Sequence, residues 1–290
     1  MEKTDITQTI MDAINHIFET ILNSINNNLY EVLDKVTFIN EDILTDSNFE
    51  KIFGTSASNG ILLIANSLLL GFLLYYGIRF LFSHLTYTKT ENPFSFLIKL
   101  MLCGICMNFS YFLVSEFLNI FSAISVSIRD LGKVLFGKTV CFSELIKIID
   151  AEAAQGSTFN IFSLDGLLNG SISISLLSLI FTYSMRYILV KIFALLAPFA
   201  ILSACTESTA WFFKSWFRNL FSLAFIQVIV ALVLVLLFSM DASSNNLFAK
   251  FVYIGGIYAL LKANTIVREF VGGVSTSVAQ SVDNIVNLRK

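Results

Sequence analysis

Only two prolines, Pro93 and Pro198, and two histidines, His16 and His84, occur in 290 residues, and charged side chains make up 14% of the chain. A soluble domain carries about 25% charged residues. So little proline leaves most of the backbone free to close its own hydrogen bonds as helix, the form in which a chain satisfies itself in lipid. So little histidine, with no carboxylate–histidine spacing nearby, argues against a metal centre or a cofactor. The four cysteines, Cys103, Cys106, Cys141 and Cys205, make no disulfide framework. Cys103-Gly-Ile-Cys106 matches CxxC but lies in an apolar run, where a thiolate is disfavoured. The N-terminus begins with acidic and polar residues, so no cleavable secretory signal is expected.

What the chain has instead is long uncharged stretches. Asn219–Met240 runs 22 residues without an ionisable side chain. At ~1.5 Å per helical residue, a run of that length matches the hydrocarbon thickness of a bilayer. Gly60–Ile78 and Leu167–Met185 are each 19 residues and uncharged, and Leu100–Ser115 is a further clean run. Hydrophobic residues reach 56% and mean hydropathy is +0.75. The sequence predicts an all-α membrane protein of about five transmembrane helices, at 60–82, 96–118, 167–189, 219–240 and 247–266.

Charge placement orients these spans. Arg79, Lys89 and Lys99 follow the first span with Glu91 opposing, and Arg186, Lys191, Lys214 and Arg218 lie between the third and fourth against Glu207. These segments and the Arg289–Lys290 end are expected on the cytoplasmic side. Residues 1–59 hold three lysines against ten acids, and residues 129–166 hold four positive and five negative side chains. Both fit the outer face. The expected layout is thus an N-terminal extracytoplasmic region (1–59), two spans (60–128), an extracytoplasmic loop (129–166), three spans with a cytoplasmic apolar segment (167–270), and a cytoplasmic tail (271–290). The apolar segment Tyr187–Cys205 reads either as an extension of the third helix bending at Pro198 or as a re-entrant stretch, and a sixth crossing would put basic residues outside. In the N-terminal region Ile6, Ile10, Ile14, Ile17, Ile21, Ile25 and Leu29 recur every three or four residues, an amphipathic helix suited to a membrane surface or to self-association.

Gly132-Lys-Val-Leu-Phe-Gly137-Lys138-Thr139 spells a Walker A motif, yet about forty residues between spans leave no room for the strand and helix that motif needs. Leu202-Ser-Ala-Cys205 spells a lipobox with no signal peptide before it. No Ser/His/Asp or paired-carboxylate arrangement stands out, and no catalytic centre is expected. Glu116 and Lys262 are the candidate intramembrane polar residues, each read as snorkelling to an interface or as lining a polar path. Arg186, Lys191, Trp211, Lys214, Trp216 and Arg218 read as topology and interface anchors. Gly71, Gly77, Gly170, Gly255 and Gly256, with Ser171, Ser173, Ser175 and Ser178, read as helix-packing positions.

The layout, with the stretch Ala194-Leu-Leu-Ala-Pro-Phe-Ala-Ile-Leu202 followed by Trp211-Phe-Phe-Lys-Ser-Trp-Phe-Arg218 and a long span bearing Gln227, resembles the TrbL-like polytopic inner-membrane subunits of type IV secretion and conjugation systems. The likeness covers roughly 60–270. It implies a homo-oligomeric channel or scaffold in the bacterial cytoplasmic membrane, working with other secretion subunits, including ATPases, and contacting DNA–protein substrate transiently. By position, the outer-loop groups able to meet substrate phosphate are Arg129, Lys133, Lys138 and Lys147. The competing reading is a small-solute transporter or ion channel, against which stand an odd span count and the absence of an internal repeat.

Overall fold

The computed structural model describes residues 31–54, 60–86, 93–153, 164–206, 208–240 and 247–271, together with Ala13 and Thr20. The expected N-terminal amphipathic helix and the tail beyond Val271 lie outside the described residues, except that Ala13 and Thr20 are helical and exposed. Among the described residues all regular structure is helix. Helix α1 includes residues 31–37, and a short 3-10 turn, Glu41–Ile43, follows. The remaining helices are α2 (Ser47–Phe53), α3 (Ile61–Thr86), α4 (Pro93–Asn108), α5 (Ser110–Phe136), α6 (Phe142–Ala153), α7 (Leu164–Ser203), α8 (Ala210–Phe238) and α9 (Leu247–Val271). Four of them contain segments long and apolar enough to cross a bilayer: Ile61–Ser83, Ser110–Phe136, Gly170–Ser203 and Ala210–Phe238. The chain is an all-α, multi-pass membrane protein.

Two expected spans take a different form. The span at 96–118 is not one helix. It breaks at Phe109, whose ψ of 5° leaves the helical range. Beside the break the Asn108 amide donates to the Gly104 carbonyl (2.8 Å), four residues back, and pairs with Asn66 of α3 (3.2 Å). Side-chain bonding to the i−4 carbonyl competes with the ladder and bends helices. The crossing helix here is α5, which runs on to Phe136, so residues 129–136 of the expected loop are helical. The second difference is α9. It forms, but Lys250, Lys262, Asn264, Arg268 and Glu269 dilute it, and it is not among the four apolar spans. The apolar stretch at 187–205 proves to be an extension of the third helix: α7 continues through Pro198 for 40 residues, or ~60 Å, about twice the hydrocarbon thickness.

Side-chain pairs fix the helix directions. Phe117 meets Phe217, Phe121 meets Phe221 and Phe225, and Gly132 lies beside Val235, so α5 and α8 run parallel. Trp216 bonds to Phe193 and Arg186 to Leu223, which makes α7 antiparallel to α8. The Gly256–Leu237 approach and the Tyr183–Leu260 bond set α9 antiparallel to α8 and parallel to α7. Tyr76 stacks on Phe96 while Asn66 pairs with Asn108, so α3 and α4 form an antiparallel hairpin. Consecutive crossings require this alternation.

Two apolar cores result. The larger joins α5, α7, α8 and α9 with the segment 33–53 and α6, through Leu118, Leu179, Leu223, Ile226 and Leu260 among others. Its α5–α8 seam is a phenylalanine ladder at spacings of four, in which ring centroids stand 5.0–6.3 Å apart. The smaller core packs α3 and α4 on the end of α7 through Ala65, Phe96, Leu100, Met107, Ile201 and Leu202. Beyond that contact α3 exposes most of its apolar surface, Leu70, Leu74, Ile78 and Leu81 included. Of the five glycines expected at helix contacts, a side chain at Gly71, Gly77, Gly170 or Gly255 would meet nothing within 4 Å. Only Gly256 sits against a neighbour, Leu237.

Candidate functional site

On α7 the buried residues Leu176, Leu179, Tyr183, Val190, Ala194 and Ala197 follow one another at intervals of three, four or seven. Arg186 falls in the same stripe, three residues after Tyr183 and four before Val190, and is 1% exposed. The expectation of an anchor at the membrane edge is therefore replaced by a guanidinium in the centre of the bundle. Its Nε donates to the Leu223 carbonyl of α8 (2.7 Å) and its Nη1 to the Thr37 carbonyl (2.7 Å). Nη2 has no partner, and among the described residues no carboxylate pairs with this side chain. A buried charge costs several kcal/mol, and a donor left unpaired adds about 1–3 kcal/mol. Such an arrangement persists where the group has work to do in the fold or in function.

Several of the other unpaired buried polar atoms lie within a turn of the groups these helices exchange. One turn after Leu223, Gln227 is fully buried; its Oε1 accepts from the Ile39 N–H (2.9 Å) and its Nε2 is unpaired. Ser222 Oγ and Thr37 Oγ1, which flank the two carbonyls that Arg186 holds, are unpaired as well. Tyr183, one turn before Arg186, donates to the Leu260 carbonyl (3.0 Å), and Asn264 lies one turn further along α9 with Oδ1 unpaired. Helices α7, α8 and α9 thus present a polar centre inside an apolar bundle.

A strap formed by residues 31–46 covers this centre. Its stretch Phe38–Asn40 is not helical; Phe38 N–H and the Asn40 carbonyl bond to backbone, and a side chain takes the Ile39 N–H. Arg186 and Gln227 hold Thr37 and Ile39 as above, and the Arg129 guanidinium stands over the Phe38 ring at 4.1 Å. Tyr111 Oη donates to the Leu44 carbonyl (3.1 Å), and Glu41 accepts from Asn119 Nδ2 (2.8 Å). Asp34 accepts from the backbone N–H groups of Phe142 (2.9 Å) and Ser143 (3.3 Å) and from the Ser143 hydroxyl (2.8 Å), capping α6 from a distant point in sequence. Asp46 pairs with Lys191 (3.5 Å), whose ammonium also lies near the Phe49 and Tyr187 rings.

The expected site residues do not converge. Arg129 packs inward on Phe38, while Lys147 on α6 is paired with Glu144 (2.8 Å), which raises its pKa. Lys133 and Lys138 stay exposed at the end of α5. Glu116 and Lys262 both face outward, Lys262 over the Tyr258 ring at 5.6 Å. Of the interfacial anchors, Trp211, Lys214 and Arg218 are exposed. Trp216 turns inward and donates from Nε1 to the Phe193 carbonyl (2.8 Å). The Walker A spelling is a helix end: Gly132–Phe136 belong to α5, and Gly137 takes a left-handed φ of 68° to return its N–H to the Lys133 carbonyl (2.9 Å). Gly132 is small because Val140 of the returning chain packs against it.

Other features escaped the sequence reading. Cys103 and Cys205 both pack into the small core at the α4–α7 junction. The polar centre was missed because charge counting places an arginine by its neighbours in sequence, whereas the three-and-four stripe on α7 carries the signal for burial. No protein-family model, curated protein or solved structure matches this chain.

Proposed function

We propose that this chain is a membrane channel or scaffold subunit of a type IV secretion or conjugative DNA-transfer machine, of the TrbL-like kind. In this reading it lies in the bacterial cytoplasmic membrane as a homo-oligomer, N-terminus outside and C-terminus in the cytoplasm. It passes DNA–protein substrate while separate ATPases supply the energy. The observation that carries the reading is the division of the molecule into a cross-tied bundle and an apolar hairpin. Helices α7, α8 and α9 are joined by side-chain-to-backbone bonds and α5 packs on α8 through the phenylalanine ladder, whereas α3 shows lipid or neighbouring copies an almost unburied apolar surface. A subunit that must assemble laterally needs such a surface. Lys133 and Lys138, exposed at the outer end of α5, are the cations available for transient phosphate contact.

The test is co-purification from mating cells with the conjugation ATPases, together with crosslinking to the DNA strand in transit. The Lys133→Gln/Lys138→Gln variant should lower crosslinking and its salt sensitivity. A specific observation favours one other reading. The unpaired Nη2 of Arg186 is the kind of buried donor a solute or ion carrier places on its path. Solute uptake by the lone protein in liposomes, lost in Arg186→Met, would replace the secretion reading with that one.

A further inference from the structure

At the junction of the two cores lies a crevice of about 450 Å³ between the α4–α5 bend, the end of α7 and the start of α8. Its wall is almost wholly apolar and includes Cys106, Phe117, Ala204, Trp216, Phe217 and Leu220. Several residues at its mouth, among them Leu113 and Phe217, are exposed. Water in such a space would lack the two to four polar partners it needs, so an apolar ligand is the fitting occupant.

The α8 wall continues into a basic edge. Phe213, Trp216, Phe217 and Leu220 line the crevice, and at about 100° per residue Lys214 and Arg218 stand together on the neighbouring face, next to Phe217. Both are exposed, and neither is ion-paired among the described residues. An apolar slot bordered by two exposed cations, in a membrane protein, matches an acyl chain joined to a negative headgroup.

We propose that this crevice binds one acyl chain of an anionic phospholipid, whose phosphate is met by Lys214 and Arg218. The lipid wedges between the hairpin and the bundle at the point where their two cores join. Trp211 and Trp216 are the only tryptophans in the chain, so Trp211→Phe leaves a single reporter that lines the site.

The experiment places the full-length Trp211→Phe protein in vesicles containing a small, equal fraction of either dibrominated phosphatidylglycerol or dibrominated phosphatidylcholine, and reads the quenching of Trp216. Two cations near the surface should favour the anionic lipid roughly tenfold in apparent affinity. Adding Lys214→Gln and Arg218→Gln, both at exposed positions, should bring the two lipids together. Adding Ala204→Phe, which fills the crevice, should remove quenching by both. Equal quenching by the two lipids before those changes overturns the proposal, as does quenching that survives Ala204→Phe. Absence of quenching by either lipid also overturns it, and points to a crevice filled by protein. The headgroup comparison needs no charge or cavity variant, so it stands whether or not Ala204→Phe folds.

Discussion

Arg186→Met should free the strap while leaving the helix bundle as stable as before, or more so. The guanidinium makes two bonds of 2.7 Å, and they differ in kind. The Leu223 carbonyl belongs to a helical ladder and keeps a partner when the arginine is gone. The Thr37 carbonyl lies at the end of α1, where the ladder stops, and loses its only side-chain donor. A hydrogen bond to a charged group contributes about 1.5–3 kcal/mol. At ~1.4 kcal/mol per factor of ten, strap opening should become roughly 10- to 100-fold more frequent. The same substitution removes a buried, unpaired charge. Replacing buried ionic groups by apolar ones of similar volume is often neutral or stabilising, by ~1–4 kcal/mol.

The two effects separate experimentally. Thr37 is fully buried, so a Thr37→Cys thiol in a background lacking the four native cysteines reacts with a maleimide only when the strap opens. Its labelling rate should rise by the factor above in Arg186→Met and less in Arg186→Lys, where an ammonium lacks the fork that reaches both carbonyls. Gln227→Leu, which removes the acceptor of the Ile39 N–H, should act on the same rate. The double variant should fall short of additivity, because both side chains hold one strap. Thermal unfolding in detergent should be unchanged or shifted upward in Arg186→Met. An unchanged labelling rate combined with a lower midpoint would refute the reasoning, since it would make Arg186 a support of the bundle and not of the strap.

Three further outcomes follow from the geometry. A side chain at Gly256 would press on Leu237, so Gly256→Val should cost about 1–3 kcal/mol in thermal unfolding, whereas Gly255→Val, with open space around it, should stay within about 0.5 kcal/mol. Mild oxidation with copper phenanthroline should join Cys103 to Cys205 and shift the electrophoretic mobility of the monomer. Cys103→Ser or Cys205→Ser, the two cysteines that share the small core, should abolish the shift and Cys106→Ser should keep it. Burial raises the pKa of the Cys141 thiol, chiefly by disfavouring the thiolate. Its alkylation rate should therefore rise with pH through a midpoint above that of free cysteine in the same buffer, and denaturation should restore the ordinary midpoint.

The helical, membrane-embedded character of the chain was legible from the uncharged runs alone, since a run such as Asn219–Met240 has few other uses. The continuation of the third helix through Pro198 was one of two readings that the apolar stretch 187–205 left open, and the structure selects it. Less legible was where an apolar run stops being one helix. Leu100–Ser115 contains a single asparagine, and hydropathy averages over it, yet α4 ends at Asn108, which bonds back to Gly104 and across to Asn66. Glycine was misread in a similar way. Small residues permit close approach but do not compel it, and only Gly256 of the five named lies where a neighbour comes near. The strap was the largest omission. Residues 31–46 are polar and acidic, which by charge counting marks a loop outside the membrane. Their fit to Arg186, Gln227, Arg129 and Lys191 comes from contacts distant in sequence, which no local pattern reports.

The distribution of polar bonds explains why this molecule divides as it does. Lipid tails are as apolar as leucine, so burying apolar surface between helices gains little inside a bilayer, and register must come from packing shape and from polar ties. In the bundle the ties are explicit. Trp216 to Phe193, Arg186 to Leu223, and Tyr183 to Leu260 each join a side chain on one helix to a backbone carbonyl on another. Any slide of α7 against α8 or α9 by one turn would break all of those in which it takes part and bury their groups unpaired. The phenylalanine ladder adds the same constraint between α5 and α8. The α3–α4 hairpin has the reciprocal Asn66–Asn108 pair within itself, and it meets α7 through the small apolar core. In lipid such a junction is held weakly. The hairpin is thus the part of the molecule whose contact with the rest is most readily exchanged for lipid, while the bundle and its strap keep one arrangement.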